Sequence, residues 1–466
     1  MVIYLDNNAT TKVDKRVLEA MLPYLEDDYA NPSSMYQFSV KPAKAIAKAR
    51  AQMRDFFGAK SEREVIFTSC GSESANTAIK GVLAANKSKK HIITTKVEHP
   101  CVLNVYKSLE KQGYKVDYIG VKSNGELELE ELKEKIDDGT ALVSVMWANN
   151  ETGVLFPVEE IGEIIKSKNP NTKFFVDAVQ ASGKIDFDLK STNIDLLSVS
   201  GHKFHAPKGV GALYVKSNVI IPPLIIGGHQ ERGQRAGTEN VPYIVGMGVA
   251  AELAKESLKY EVTEIKRLRD KLETGILKRV FNARLNSSIS NRVPNTTNIG
   301  FEYIEGELIL LHLSDIGICA SSGSACTSGS LEPSHVLRAM GVPFTSLHGS
   351  IRFSLSRFTT EKEIDYTLEN LPKVIEEITK LSPYQDEYNS LSEETYAWTM
   401  EAAVWCEMRD IYPESNKEDD DLVKRENTLK QLFEKGGYTS KYIKKAVYAN
   451  KGYQGLPLTS PGFQEL

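Results

Sequence analysis

The sequence predicts an α/β fold in which a large, mostly parallel β-sheet is covered by helices and joined to a small α+β domain. Short apolar, β-branched runs alternate with stretches of helical spacing, a rhythm typical of parallel sheets. A long amphipathic helix then leads into the small domain, with Leu268, Leu272, Ile276 and Val280 four residues apart. Apolar residues make up 41% of the 466-residue chain, which excludes a disordered protein.

The predicted elements of the sheet domain follow one another regularly. The chain opens with a turn-rich stretch, and helices are predicted over 16–25 and 41–57. The predicted strands cover 65–68, 91–95, 141–147, 174–177, 194–199 and 210–215, and the helices between them cover 72–85, 102–112 and 158–168. We therefore expect a large domain over 15–258.

The small domain is predicted from residues 1–14 and 259–384. It contains strands near 298–301 and 351–355, a helix over 307–313, and a last helix that opens with the capping-box pattern of residues 360–363. Residues 385–466 form an extension whose helical stretches are rich in Trp, Tyr and Leu. We expect a helical docking module there, or a helical tail that only packs on the enzyme body.

Composition excludes several classes of protein. The net charge of −5 is unlike the basic footprint of proteins that bind nucleic acid or membrane surfaces. The N-terminus lacks the pattern of a signal peptide, and no apolar run reaches the ~18 residues that span a bilayer. Five scattered cysteines form neither a disulfide framework nor a zinc site, so we expect no metal and a reducing cytoplasm.

Lys203 is the first candidate for chemistry. It lies at the mouth of an apolar strand, where a lysine costs free energy unless it has a partner or a covalent role. Gly201 allows a ligand to approach the backbone, and Ser200 and His202 are short polar groups suited to an anion. An isolated lysine would be an exposed loop residue, but these neighbours favour a Schiff-base lysine that binds pyridoxal 5'-phosphate.

The ends of the other strands supply matching residues, because ligands of open α/β sheets bind beyond the carboxyl ends of the strands. Gly71 and Ser72 open a helix, where N–H groups and the helix dipole suit a phosphate. His99 follows the next strand and suits stacking or proton transfer. Asp177 ends a further strand, with Gln180 one turn on, and an aspartate can pair with a protonated pyridine nitrogen.

Two further side chains are suited to reacting with a substrate or binding it. Cys326 lies in a small, polar, glycine-rich stretch, the setting of a reactive thiol rather than of a core cysteine. Arg352 alternates with Ile351 and Phe353 on a strand, and its guanidinium fork can hold a carboxylate bidentately. A surface arginine would fit the same pattern.

The chain closely resembles the cysteine desulfurases of the NifS/IscS type, within the class V aminotransferases. The resemblance runs from about residue 2 to Tyr384 and does not extend to the C-terminal extension. The stretches that carry it are 4–11, 144–153, 200–211, 227–232, 235–240, 322–336 and 350–357. Residues around Cys326 resemble the branch with an extended loop rather than the selenocysteine lyase branch.

The resemblance implies a homodimeric pyridoxal-phosphate enzyme with the aspartate aminotransferase fold (type I). It would convert L-cysteine to L-alanine and pass sulfur, as a persulfide, to an acceptor such as an iron–sulfur cluster scaffold. The cofactor residues carried over by position are Gly71, Ser72, His99, Asn150, Asp177, Gln180, Ser200, His202 and Lys203, with Thr238 from the other subunit. Arg352, with Asn31, would bind the substrate carboxylate, and Cys326 would attack the substrate sulfur.

Two alternatives compete with this interpretation. An aminotransferase for a small substrate would have the same fold but would need no thiol in a glycine-rich loop, so Cys326 argues against it. A catalytically inactive subunit that only binds a partner would not need Lys203, Asp177 and Cys326 together. The sequence does not identify the sulfur acceptor.

Overall fold

A seven-stranded β-sheet lies at the centre of the structure, a computed structural model that describes residues 2–322 and 333–381. Its strands are apolar and β-branched, and most are completely buried. The chain divides into two units, Met1–Val374 and Ile375–Leu466, and all of the sheets belong to the first. Of the second unit, the structure describes only residues 375–381, the end of a helix.

The helices and strands alternate as the sequence predicts. The strands are β1 (Ile3–Tyr4), β2 (Val65–Thr68), β3 (His91–Thr95), β4 (Lys115–Ile119), β5 (Thr140–Met146), β6 (Lys173–Asp177), β7 (Leu196–Ser200), β8 (Gly211–Val215), β9 (Ala283–Leu285), β10 (Thr296–Phe301), β11 (Ile318–Cys319), β12 (Ser321–Ser322) and β13 (Ser350–Ser354). The helices are α1 (Lys15–Glu26), α2 (Val40–Phe57), α3 (Gly71–Ala85), α4 (Pro100–Glu110), α5 (Leu129–Lys135), α6 (Val158–Lys168), α7 (Val241–Tyr260), α8 (Lys266–Arg279), α9 (Gly306–Asp315), α10 (His335–Ala339), α11 (Phe344–Leu347) and α12 (Glu361–Leu381).

The order of strands in the large sheet is β2-β8-β7-β6-β5-β3-β4. All neighbouring pairs are parallel except the two that involve β8, which runs antiparallel to β2 and to β7. The predicted mostly parallel sheet is therefore confirmed. Because β8 is the reversed strand, β2, β3, β5, β6 and β7 all end at the same edge.

Both faces of the sheet are covered, and alternate residues of each strand enter two different hydrophobic clusters. On β6, Phe174 and Val176 belong to one cluster and Phe175 belongs to the other. The first cluster includes residues of α1, α2 and α7, and the second is formed with α3 and α4. Burial on both faces explains why these strands appear in the sequence as continuous apolar runs.

A four-stranded antiparallel sheet, in the order β12-β13-β10-β9, forms the smaller part of the first unit. In it Arg352 lies opposite Asn298 on one side and Ser321 on the other. The N-terminal strand β1 pairs with β11, and Asp6 bridges to Ser354. The N-terminal residues therefore contact the smaller sheet, and the proposed domain boundaries stay predictions.

The predicted elements have their expected types, with three notable differences. The sequence prediction missed β4, a half-exposed edge strand, and α7, whose first half, residues 241–251, carries apolar and small residues on every side. Val280, predicted as part of an amphipathic helix, is instead the extended C-cap of α8. Neither an exposed edge nor a helix that begins with a continuous apolar run gives a clear periodic signal.

The predicted capping box at the start of α12 is confirmed. The backbone N–H of Thr360 donates to Glu363 Oε2 over 2.7 Å, and the N–H of Glu363 donates to Thr360 Oγ1 over 3.4 Å.

The extension over 385–466 and its Cys406 lie outside the described residues. In the part of the chain that is described, no helix is both long and apolar enough to cross a membrane.

Close packing of α2 against α7 depends on Gly248. A Cβ atom at this position would lie 2.7 Å from Ala49 Cα, 2.8 Å from Ala49 Cβ and 2.5 Å from Gln52 Oε1. A backbone atom cannot move away as a flexible side chain can. The two helices therefore approach one another closely only because residue 248 has no side chain.

We predict that Gly248→Ala lowers the free energy of unfolding by about 1–3 kcal/mol, the usual cost of overpacking. Alanine favours helix by only ~1 kcal/mol over glycine, which does not offset that cost. Thermal and urea unfolding measure the change. Gly139→Ala is the matched control, since its Cβ would meet only Asp137 Oδ1, at 3.2 Å. A Gly248→Ala protein as stable as the wild type would contradict the close approach.

Candidate active site

The predicted site residues converge at the edge of the sheet where β2, β3, β5, β6 and β7 end. An open cavity there has a volume of about 280 Å³. Nine of the predicted residues line it: Gly71, Ser72, His99, Asn150, Asp177, Gln180, Ser200, His202 and Lys203. This edge is where the rule that ligands bind at the carboxyl ends of the strands predicts a site.

Lys203 lies in the 3₁₀ turn Gly201–Lys203, which follows directly on β7. Its ammonium group donates to the backbone oxygens of Asn8, over 2.6 Å, and Ala9, over 2.8 Å. The N-terminal loop therefore closes one side of the site and holds Nζ at the cavity wall. A half-buried lysine with this access to a cavity is suited to covalent attachment of a carbonyl compound.

Asp177 is the anionic group of the cavity and is only 5% exposed. Its Oδ1 accepts hydrogen bonds from the Val179 N–H, over 3.0 Å, and from Ser198 Oγ, over 3.3 Å. Its Oδ2 faces the Cys101 sulfur at 3.9 Å. Burial raises the pKa of Asp177, because a carboxylate removed from water is costly unless a cation pairs with it. A protonated pyridine nitrogen is such a cation, so the residues present fit pyridoxal phosphate.

His99 offers a flat, neutral ring to the cavity. It caps α4, and its Nδ1 accepts a hydrogen bond from the Cys101 N–H over 3.1 Å, which places the ring proton on Nε2. Burial, reinforced by the positive charge of Lys203, lowers the pKa of His99 to about 4. A neutral imidazole in this position is suited to stacking on an aromatic cofactor.

The N-terminus of α3 forms the anion-binding end of the cavity. The helix is 15 residues long and begins at Gly71, where a Cβ would lie 3.0 Å from Val179 Cγ2. Its N–H groups, together with Ser72, Ser200 and His202, suit the phosphate of the cofactor. The nearby carboxylate of Glu73 is neutralised by Arg235 at 2.9 Å, so it does not repel an anion.

Three further predicted residues, Arg352, Asn31 and Thr238, lie outside the cavity. Arg352 is buried, and its guanidinium donates to the backbone oxygen of Asn150 over 2.9 Å and to Asp6 Oδ1 over 2.7 Å. Its buried Nε has no hydrogen-bond partner among the described residues, so the group retains donors for a carboxylate. Asn31 and Thr238 are exposed and do not line the cavity.

Cys326 lies outside the described residues, but the residues on either side of its segment are tied to the site. On one side Ser322 pairs with Ile351, the neighbour of Arg352. On the other side Ser334 donates to Glu151 Oε2 over 2.5 Å, and His335 Nε2 donates to the backbone oxygen of Glu98 over 2.9 Å. Glu98 and Glu151 directly neighbour His99 and Asn150 in the chain.

The sequence prediction assigned no role to Asn8, although the motif that contains it was noticed. The Asn8 backbone oxygen accepts from Lys203 Nζ and, over 3.0 Å, from Gln180 Nε2. Its side-chain NH₂ donates to Thr296 Oγ1 over 2.9 Å, in the smaller sheet. Asn8 therefore joins the cavity to the smaller sheet, a role that no sequence signal could have shown.

Comparison with known proteins agrees with this geometry. The model of the family "Aminotransferase class-V" matches residues 3–367. A cysteine desulfurase of Nostoc sp. is 58% identical over 386 residues, which are 83% of this chain and 96% of the relative. The cysteine desulfurase NifS of Azotobacter vinelandii is 52% identical over 382 residues, or 82% of this chain and 94% of the relative.

Solved structures also match the chain. A NifS-like protein has a TM-score of 0.76 and 42% sequence identity, and the match covers 81% of this chain and 100% of that one. SspA in complex with cysteine has a TM-score of 0.68 and 37% identity, and the match covers 77% of this chain and 100% of that one.

A buried histidine behind the site, His205, is expected to make stability depend on pH. Its ring is buried, Nδ1 donates to the Lys12 oxygen over 2.8 Å, and burial, reinforced by the charge of Arg357, lowers its pKa to about 4. An unfolded histidine titrates near ~6.5, so the unfolded state binds more protons between these values. Stability is therefore present above pH ~6.5 and falls as the pH drops toward 4.

We predict that the wild type loses about 2 kcal/mol more stability than His205→Asn between pH 7 and pH 5. Asparagine tolerates the positive φ of 71° at this position. Urea unfolding at one protein concentration measures both proteins at both pH values. His312→Asn, on α9, is the control and should follow the wild type. Equal losses in the wild type and His205→Asn would refute the assignment.

Proposed function

Because this chain belongs to the class-V aminotransferase family, and within it to the pyridoxal-phosphate-dependent cysteine desulfurases, we propose that it converts L-cysteine to L-alanine at the cavity around Lys203 and receives the sulfur on Cys326. The observation that supports the site is the convergence of nine predicted residues on one cavity, with an amine and a buried carboxylate among them. The amine is that of Lys203, and the carboxylate is that of Asp177.

The protein side chains divide the work of holding the cofactor. Lys203 attaches it covalently, Asp177 keeps a proton on the ring nitrogen, and neutral His99 stacks on the ring. Gly71 and Ser72 at the helix N-terminus, with Ser200 and His202, hold the phosphate. Bound pyridoxal phosphate supplies an electron sink for the electron pair that remains when a Cα–H bond is broken.

Lys203 would have a second task whenever its amine is not attached to the cofactor. The released amine is a base at the cavity wall, and we infer that it removes the Cα proton of the substrate and later returns protons to the product. Because the pKa of His99 is low, its imidazole is neutral and adds no positive charge beside the amine of Lys203.

Arg352 is the candidate for the substrate carboxylate, with Asn31 as a second contact. Its guanidinium is held by the Asn150 oxygen and Asp6, which fixes its plane. A planar fork with donors to spare matches a carboxylate bidentately. An arginine fixed in this way favours amino acids over amines as substrates.

Cys326 takes the sulfur. Its thiolate attacks the sulfur of the bound cysteine, a new S–S bond forms, and the C–S bond of the substrate breaks. The electron pair of the broken bond stays with the carbon skeleton, which takes up protons and leaves as alanine. The persulfide on Cys326 is then transferred to an acceptor thiol, or is reduced to sulfide by a small thiol.

We infer that the physiological acceptor is a protein, such as an iron–sulfur cluster scaffold, and that transfer takes place in the cytoplasm. A persulfide survives as a carrier of sulfur only where its acceptor thiols are kept reduced. The pairing of both sides of the Cys326 segment with residues next to the site supports a thiol that works at the cavity. Residues 385–466 are our candidate for docking the acceptor.

We also propose a homodimer in which Thr238 of one subunit completes the phosphate site of the other. Thr238 is exposed and does not line the cavity of its own chain. The segment 216–240 between β8 and α7, which contains Thr238, also carries Ile220 and Ile226, each 86% exposed. Large aliphatic side chains that are this exposed favour burial against a partner.

The proposed roles of Lys203 and Cys326 predict two different defects. Lys203→Ala should contain no covalently attached cofactor and should make no alanine, whereas Cys326→Ala should remain yellow, change its spectrum with cysteine, and form no persulfide. Absorbance, alanine release and mass spectrometry measure these outcomes, and Cys319→Ala is the control thiol variant. Normal alanine production by Cys326→Ala in the presence of a reductant would contradict the role of Cys326.

The proposed dimer predicts a sedimentation mass of twice 51.8 kDa for the wild type. Ile226→Lys should weaken association, because it places a charge in the interface without disturbing the fold of one subunit. Ile289→Lys is the matched control, since Ile289 is 81% exposed and lies outside this segment. A wild-type monomer with a full complement of cofactor and full activity would refute the shared site.

A further inference from the structure

Lys184 is a second buried lysine, and it lies behind the site. It is 5% exposed, lies four residues after Gln180 in a run of turns, and lines a small polar cavity on the far side of Lys203. Its Nζ donates to Gln180 Oε1 over 3.0 Å and to Asn8 Oδ1 over 3.3 Å. Burying an ammonium group costs free energy even when two amide oxygens accept its hydrogen bonds, so Lys184 is a candidate for a functional role.

These contacts fix the orientation of the Gln180 amide. An ammonium can only donate, so the atom of Gln180 that faces Lys184 must be the oxygen. A backbone carbonyl can only accept, so the atom that faces Asn8 O at 3.0 Å must be the nitrogen. A rotated amide would set oxygen against oxygen and NH₂ against ammonium. Since Gln180 also lines the cofactor cavity, its second amide hydrogen is available there as a donor.

Lys184 and Lys203 are connected through Asn8. The backbone oxygen of Asn8 accepts from Lys203 Nζ over 2.6 Å, while its side-chain oxygen accepts from Lys184 and, over 3.2 Å, from Asn295 Nδ2. Removal of Lys184 would leave the oxygen of Gln180 buried without this donor, which costs enough to disturb the amide.

The charge of Lys184 is supported from a neighbouring element. Burial lowers the pKa of Lys184, and the carboxylate of Glu261 opposes that effect. Glu261 lies in the π-helical turn Glu261–Ile265 between α7 and α8, and burial raises its own pKa. The other charged or titratable groups that face Lys184 or line the small cavity are Lys203, His205, Arg352 and Arg357.

We propose that Lys184 is a positioning residue for the bound cofactor: by holding Gln180 Oε1 and Asn8 Oδ1, it presents the free amide hydrogen of Gln180 to the oxygen substituent of the pyridine ring. A hydrogen bond donated to that oxygen stabilises its negative charge. That charge is greatest when the neighbouring nitrogen, which joins Lys203 to the ring, has lost its proton. Lys184 therefore lowers the pH at which the bound cofactor titrates.

The test is a pH titration of the absorbance of the cofactor-loaded enzyme without cysteine. We expect the midpoint to rise by about one pH unit, a tenfold change in proton affinity, in Lys184→Met and in Gln180→Met. Because both changes remove the same donor, the double variant should show the shift of one single variant. A midpoint in Lys184→Met equal to that of the wild type would overturn the proposal, and so would shifts that add in the double variant.

A conservative variant separates hydrogen bonding from charge. Lys184→Gln retains a donor for Gln180 Oε1 but has no charge, and we expect its midpoint to stay within about 0.3 pH unit of the wild type. A full shift in Lys184→Gln would assign the effect to charge and would overturn the positioning role. This comparison also decides the question if Lys184→Met does not fold. Lys168→Met, at the exposed end of α6, is the control and should titrate as the wild type.

The inference rests on the proposed attachment of the cofactor to Lys203, and the two fail differently. A wild-type protein without a yellow chromophore would refute the site itself. A yellow Lys184→Met protein with an unshifted midpoint would refute only the role of Lys184. Because the readout is the spectrum of the bound cofactor, neither result depends on whether cysteine is turned over.

Discussion

The hydrogen bonds of Asn8 connect the parts from which the site is built. Its backbone oxygen holds Lys203 and Gln180 at the edge of the large sheet, and its side chain holds Thr296 in the smaller sheet. Its backbone N–H donates to Ser354 Oγ over 2.9 Å. Asn8 is only 1% exposed, so its own polar groups depend on hydrogen bonds within the protein rather than on water. The position of the Lys203 amine is therefore tied to the packing of two sheets.

The buried carboxyl groups around the cavity explain how its charges are arranged. Burial raises the pKa of Glu98 to about 8 and that of Glu151 to about 7. Glu98 accepts hydrogen bonds from Thr95 and Met146 through Oε1, while its buried Oε2 has no partner in the part of the chain that the structure describes. A protonated Glu98 adds no negative charge beside Asp177, so that a single carboxylate is left to pair with the ring nitrogen.

The two carboxyl groups also connect the cavity with the residues that follow the Cys326 segment. Glu151 accepts a hydrogen bond from Ser334, which also caps α10. The backbone of Glu98 accepts one from His335. The residues proposed to hold the cofactor and those that flank the Cys326 segment are therefore connected through the same two glutamates. A reaction that needs both the cofactor and a thiol is consistent with such shared supports.

The sequence by itself determined the fold class and most strand ends, because strand periodicity and the polar residues that follow buried strands are local signals. It also proposed nine site residues that line the cavity, Asn150 among them only through a family resemblance. Gly71, Asp177 and Lys203 were predicted from such signals, and parallel strands necessarily bring them to one edge. Only the tertiary structure decided what holds them. Asn8 and Lys184 act through contacts across 195 and 176 positions of the chain. Which donor meets which acceptor in a buried site depends on packing, and packing leaves no periodic pattern in the sequence.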